Sequence, residues 1–120
     1  MKNVSDKRHQ ENLERKKAMN YVRLRDRHSC VGGKWTIPGT NKPYLPGECH
    51  GPLNGHEIIT RAQGGSITDP ANIVLLCDFH NEWCTEHPVI AVSYGFRVLR
   101  YNPASPRIPP GLPHLDHLDA

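Results

Sequence analysis

Two stretches decide the fold: His56-Glu57-Ile58-Ile59-Thr60-Arg61-Ala62-Gln63-Gly64-Gly65 and Asn72-Ile73-Val74-Leu75-Leu76-Cys77-Asp78-Phe79-His80-Asn81. In the first, His56 to Ile59 is a short apolar-weighted run that reads as a strand, and Gly64-Gly65 permits a tight reversal with positive φ. In the second, Ile73 to Leu76 is an unbroken apolar run, the pattern of a strand buried on both faces. Asp78 to Glu86 then reads as a helix that must stop before Pro88, because the residue preceding a proline is pushed out of the helical region. The middle of the chain is thus strand, loop, strand, helix.

Working outward, residues 10–28 lack Gly and Pro and place Leu13, Ala18, Tyr21, Val22 and Leu24 at roughly helical spacing, which predicts a helix. Residues 31–55 hold six glycines and four prolines and read as a loop region whose ends must be pinned. Pro88 can open a short helical turn ending at Gly95, Phe96 to Tyr101 reads as a last strand, and residues 102–120 as a Pro-rich tail. The expected division is a basic helical arm over residues 1–26, a body over 27–101 and the tail.

A chain of 120 residues argues for one domain. Leu, Ile, Val and Phe make up 26 residues, about 22%, so the core is thin and calls for a staple. Cys30 and Cys49 bracket the long loop region, and Cys77 and His80 have C-x-x-H spacing at a strand-to-helix turn. Four such donors suit tetrahedral zinc, and four protein ligands make the site structural. Cys84, seven residues after Cys77, reads as a packing residue.

The longest apolar run, Ile73 to Cys77, is far short of a bilayer span, and the first twenty residues have no apolar stretch of the secretory kind. A cytoplasmic setting is expected, where thiolate ligation is favoured over disulfides. Residues 1–30 carry nine Lys and Arg against four acids, whereas the remainder carries six against eight. A basic arm ahead of a near-neutral body suits a polyanion such as DNA, although mixed charges can equally be a solvated helix face.

The two stretches together resemble the HNH nuclease family, most closely its small bacteriophage-encoded members, over residues 27 to 101. The resemblance implies a small α+β fold built on a zinc-stapled ββα-metal motif, and hydrolysis of DNA phosphodiester bonds with a catalytic divalent ion (Mg, Mn, Ni or Zn). His56 matches the metal-binding position and Glu57 the position of the general base. Asn72 matches the central asparagine, whose carboxamide ties the loop. Family members usually continue with two zinc cysteines in the LCxxC pattern. Here His80 takes the second cysteine position and Asn81 the final metal-binding one. The alternative register makes His80 the catalytic-metal ligand and leaves zinc one ligand short.

Which residue is the base stays open: register favours Glu57, whereas an imidazole titrates nearer neutrality than a carboxylate and favours His56. Arg61, Arg23, Arg25 and Arg27 are the expected phosphate contacts on DNA, with Arg61 equally readable as a surface residue. Trp35 is expected to pack over the zinc knuckle, Trp83 to anchor the helix in the core, His87 to end it, and His28, His114 and His117 to face solvent. Rival readings are a non-catalytic zinc module that binds nucleic acid or a phage packaging partner, and a generic zinc domain for protein contacts.

Overall fold

The computed structural model describes residues 4–98, so the expected tail over 102–120, with His114 and His117, lies outside the described residues. Helix α1 spans Val4–Arg25, with Asp6 in its first turn and Arg23 and Arg25 in its last, complementing the helix dipole. It ends earlier than the sequence pattern predicts because Arg27 and His28 adopt left-handed backbone, φ 57° and 52°. The His28 N–H reaches back to the Arg23 carbonyl at 2.8 Å, a closure that stops the helix.

The region 31–55 is not loop throughout. A single helical turn, α2 (Val31–Lys34), follows Cys30, and strand β1 (Leu53–Glu57) begins before the region ends. β1 pairs antiparallel with β2 (Ile73–Cys77) in the register Leu53↔Cys77, His56↔Val74 and Glu57↔Ile73. The first strand thus lies three residues upstream of its expected place. Ile58 and Ile59 leave the ladder because Asn72 takes it over: the Ile58 N–H meets the Asn72 carbonyl and the Ile59 N–H meets the Asn72 Oδ1, both at 2.9 Å.

β2 is buried along its whole length, and strand alternation sorts its side chains onto two cores. Ile73 and Leu75 pack against Ala18, Met19 and Val22 of α1. Val74 and Leu76 face the opposite way, into a cluster with Val31, Tyr44, Leu45, Ile58 and Phe96. The outer edge of β2 has no third strand among the described residues. Asp26 Oδ2 accepts the Leu75 N–H at 2.9 Å, and the Arg25 guanidinium donates to the Ile73 carbonyl. Arg25 also forms a bidentate pair with Asp26 and donates to the Pro70 carbonyl at 2.7 Å. One Arg-Asp dipeptide thereby does for this edge what a strand would do.

Helix α3 (Asp78–Glu86) starts directly from β2, and α4 (Pro88–Ser93) follows with only His87 between them. His87 ends α3 as expected, and its ring stacks on half-buried Trp83 with centroids 4.3 Å apart. Phe96 to Val98, the described part of the expected last strand, pairs with no strand among the described residues; side chains take the Phe96 and Val98 carbonyls instead.

The Gly64-Gly65 reversal uses both glycines. Gly64 has φ 89°, and a Cβ on Gly65 would lie 1.8 Å from the Ile59 carbonyl oxygen. Gly65→Ala is therefore expected to lower stability by about 1–3 kcal/mol through forced backbone displacement, read by denaturant unfolding.

Candidate metal centre and the adjoining His56–Asn81 pair

Cys30 precedes α2, Cys49 lies in the long loop, and Cys77 and His80 sit at the junction of β2 with α3. Cys77 caps α3, its sulfur accepting the His80 N–H at 3.5 Å. That knuckle turns the His80 ring back toward the three sulfurs. Its Nδ1 lies 3.2 Å from Cys77 Sγ, 3.5 Å from Cys30 Sγ and 3.7 Å from Cys49 Sγ. Tetrahedral zinc with ordinary bond lengths separates a sulfur from a nitrogen by about 3.6 Å. The four donor atoms lie within 4.8 Å of one another, and among the described residues no other group of three His, Cys, Asp or Glu closes in this way.

Two further features fit a metal. His80 Nε2 lies 3.0 Å from the Pro46 carbonyl oxygen, so the N–H there leaves the Nδ1 lone pair aimed at the sulfurs. A Cβ on Gly33 would lie 2.5 Å from both Cys49 Sγ and the His80 ring, so only glycine lets α2 close over the cluster. Burial pushes the Cys30 thiol up to about 12 and raises Cys49 as well. At Cys77 burial also pushes upward, but the His80 and His50 backbone N–H groups and contacts with Cys30 and Cys49 outweigh it and leave that thiol lowered. A divalent cation is what would discharge the two protonated sulfurs together. The Cys30, Cys49, Cys77 and His80 cluster can bind a structural metal ion such as zinc. Cys84, fully buried in the main core, is separate from it, with burial holding its thiol at about 12.

One residue beyond His80, Asn81 turns toward β1. His56 Nδ1 lies 2.7 Å from Asn81 Oδ1, and His56 Nε2 lies 2.6 Å from the Phe96 carbonyl oxygen. The ring is only 3% exposed. Burial lowers the His56 pKa against the opposing hydrogen bonds, favouring the neutral imidazole. With its Nε2–H given to Phe96, the neutral ring presents a lone pair at Nδ1. That lone pair and an amide oxygen repel at this distance, so the contact closes by turning the amide NH2 inward or by sharing a cation.

Glu57 is not part of this arrangement. As the next residue on β1 it faces the other side of the sheet, where its carboxylate lies 3.5 Å from Arg15 of α1. Strand alternation thus puts Glu57, the residue at the family's general-base position, on the face opposite His56. Asn72, 1% exposed, does tie the loop: Oδ1 accepts the Ile59 N–H while Nδ2 donates to the Ile59 and Ser66 carbonyls at 2.9 and 2.8 Å.

The expected phosphate-contacting arginines divide. Arg25 is a correction: it is buried at 8% exposure and committed to Asp26 and two carbonyls. Arg23 is exposed beside Asn20, and Arg27 lies over the half-buried Trp35 ring at 5.5 Å. Arg61 is 70% exposed and pairs with Glu11 at 3.2 Å, at the edge of a cleft of about 510 Å³ that Lys7, Arg8 and Asn12 also line. The Pro46 and Phe96 carbonyls are contributions that sequence reasoning missed; a backbone carbonyl carries no residue-type signal. Among the described residues no helix is long and apolar enough to cross a membrane. No protein-family model, curated protein or solved structure matches the chain.

Proposed function

We propose that the chain is a metal-dependent endonuclease of the HNH kind that hydrolyses DNA phosphodiester bonds, with structural zinc at Cys30, Cys49, Cys77 and His80. One observation carries the reading: His56 from β1 and Asn81 from α3 meet at 2.7 Å across a strand–loop–strand–helix unit. Two neighbouring ligands of a six-coordinate divalent ion lie about 3 Å apart, so the pair suits the edge of such a site. An ion there would stabilise charge on the scissile phosphate and on the leaving 3′ oxygen. The chain's own part is positional. The Phe96 carbonyl fixes the His56 tautomer, Asn81 fixes the angle of approach, and Asn72 holds the loop that would otherwise let β1 drift. Exposed Arg23, Arg27 and Arg61, with Lys7 and Arg8, supply cations for flanking phosphates, so binding should weaken steeply with salt.

The test is nicking of supercoiled plasmid in Mg or Mn. His56→Ala is expected to lose at least about a hundredfold in rate while retaining its bound zinc, whereas Glu57→Gln retains most of the activity. Equal nicking by His56→Ala and the unaltered protein would overturn the assignment. No group of three His, Cys, Asp or Glu side chains closes around His56 among the described residues, which favours a second reading, a zinc module that binds nucleic acid without cutting it. Salt-sensitive DNA binding with no turnover under any divalent ion selects that alternative.

A further inference from the structure

The nuclease reading leaves one charged group beside the His56–Asn81 pair without a task. Arg97 lies between two anchored carbonyls. On one side Phe96, fully buried, gives its carbonyl oxygen to His56 Nε2 at 2.6 Å. On the other Val98, 8% exposed, gives its carbonyl to Gln63 Nε2 at 2.8 Å. The Arg97 peptide nitrogen is thus bonded to the carbonyl carbon whose oxygen rests on the imidazole, and neither flanking residue can slide without breaking a hydrogen bond.

Arg97 itself is half-buried and, among the described residues, makes no ion pair or hydrogen bond through its side chain. Its neighbours in charge are conspicuous by contrast: Arg15, Arg25 and Arg61 each have a carboxylate partner. The Arg97 charge also reaches the inner groups on both sides. It adds to burial in holding the His56 pKa down, and it acts against burial at Cys84. A half-buried arginine whose backbone is anchored on both sides, and whose side chain has no counter-ion among the described residues, is an anion site in waiting, and its planar fork matches two oxygens of a phosphate.

We propose that Arg97 binds the phosphate that reacts at the His56–Asn81 pair, positioned there by the Phe96 and Val98 carbonyls. The inference rests on the nuclease reading of that pair and deepens it. The neutral imidazole and the amide carry no charge, so among the described residues Arg97 is the cation nearest in sequence to the Phe96 carbonyl that holds the His56 ring. A guanidinium in that place stabilises charge that grows in the transition state and should act more on kcat than on KM.

Plasmid nicking in Mn, measured as kcat and KM for the unaltered protein, Arg97→Ala and Arg97→Lys, reads the catalytic side. Arg97→Ala is expected to lower kcat about a hundredfold with KM changed less than about threefold, and Arg97→Lys to recover part of the loss. A second arm needs no turnover: titration with inorganic phosphate, followed by the His56 imidazole resonances. Phosphate should shift those resonances in the unaltered protein and require about tenfold more ligand in Arg97→Ala. Nicking within twofold of the unaltered protein, or an unchanged phosphate titration, overturns the proposal. So does an equal loss in both variants accompanied by a lowered melting temperature, which marks a structural role. If the unaltered protein cuts under no divalent ion, the nuclease reading fails on its own, and the phosphate titration still decides Arg97.

Discussion

Cys77→Ser is expected to release the bound metal and unfold residues 27–98 as a unit. Cys77 is at once a donor of the cluster, the cap of α3 and the last residue of β2. Structural zinc in small domains contributes about 10–16 kcal/mol of apparent binding energy. A domain of this size has only about 5–15 kcal/mol of net stability. Loss of one thiolate therefore removes more than the fold has to spare, and chelation of the unaltered protein should have the same effect. Metal analysis should find one zinc per chain before treatment, and circular dichroism should lose its cooperative transition afterwards. Loading should also weaken as the pH falls, because the buried Cys30 thiol and the partly buried Cys49 thiol, both raised, must lose protons to bind. Cys84→Ser separates the two roles of cysteine here: it is expected to cost about 1–3 kcal/mol by burying a hydroxyl while leaving the metal in place. A protein that keeps its melting transition after chelation, with no zinc bound, would refute the staple.

The second large effect is expected at Asp26→Ala, a loss of about 3–5 kcal/mol. Asp26 is fully buried, and removing it strands two groups at once. The Arg25 guanidinium loses the carboxylate that neutralises it, and the Leu75 N–H at the open edge of β2 loses its acceptor. Breaking a buried pair from one side leaves an uncompensated charge, so the cost exceeds the worth of the pair itself. Urea unfolding checks the magnitude. Zinc content should stay the same, because α1 packs on the face of β2 that carries Ile73 and Leu75, away from the cysteines. A loss under about 1 kcal/mol would mean that the Arg25–Asp26 pair is dispensable to the sheet edge.

That expectation was invisible in the charge pattern. Nine cations against four acids over the first thirty residues read as an arm reaching for a polyanion, with Arg25 among its contacts. The partners that bury Arg25 lie 45 and 48 residues away, at Pro70 and Ile73. Composition records how many charges a segment carries and says nothing of which ones are consumed by the fold. Glu57 fails to join His56 for a related reason: adjacent strand residues point to opposite faces, and the position of β1 depends on where Asn72 ends its ladder.

The local sequence alone determined what depends on residue type and short spacing. An unbroken Ile73–Leu76 run makes a strand buried on both faces, the Cys77-to-His80 spacing forms a knuckle at a helix start, and Pro88 ends one helix while opening the next. Only the tertiary structure decided the rest. Cys30 and Cys49 reach the knuckle because α2 closes over it on Gly33. The two histidines are oriented by the Pro46 and Phe96 carbonyls, and β2 is edged by an Arg-Asp pair in place of a strand. The physical reason is common to all three: each contact joins a side chain to a backbone group or cluster far along the chain. Backbone groups are chemically alike at every residue, so their partners are set by packing, which short-range pattern does not encode.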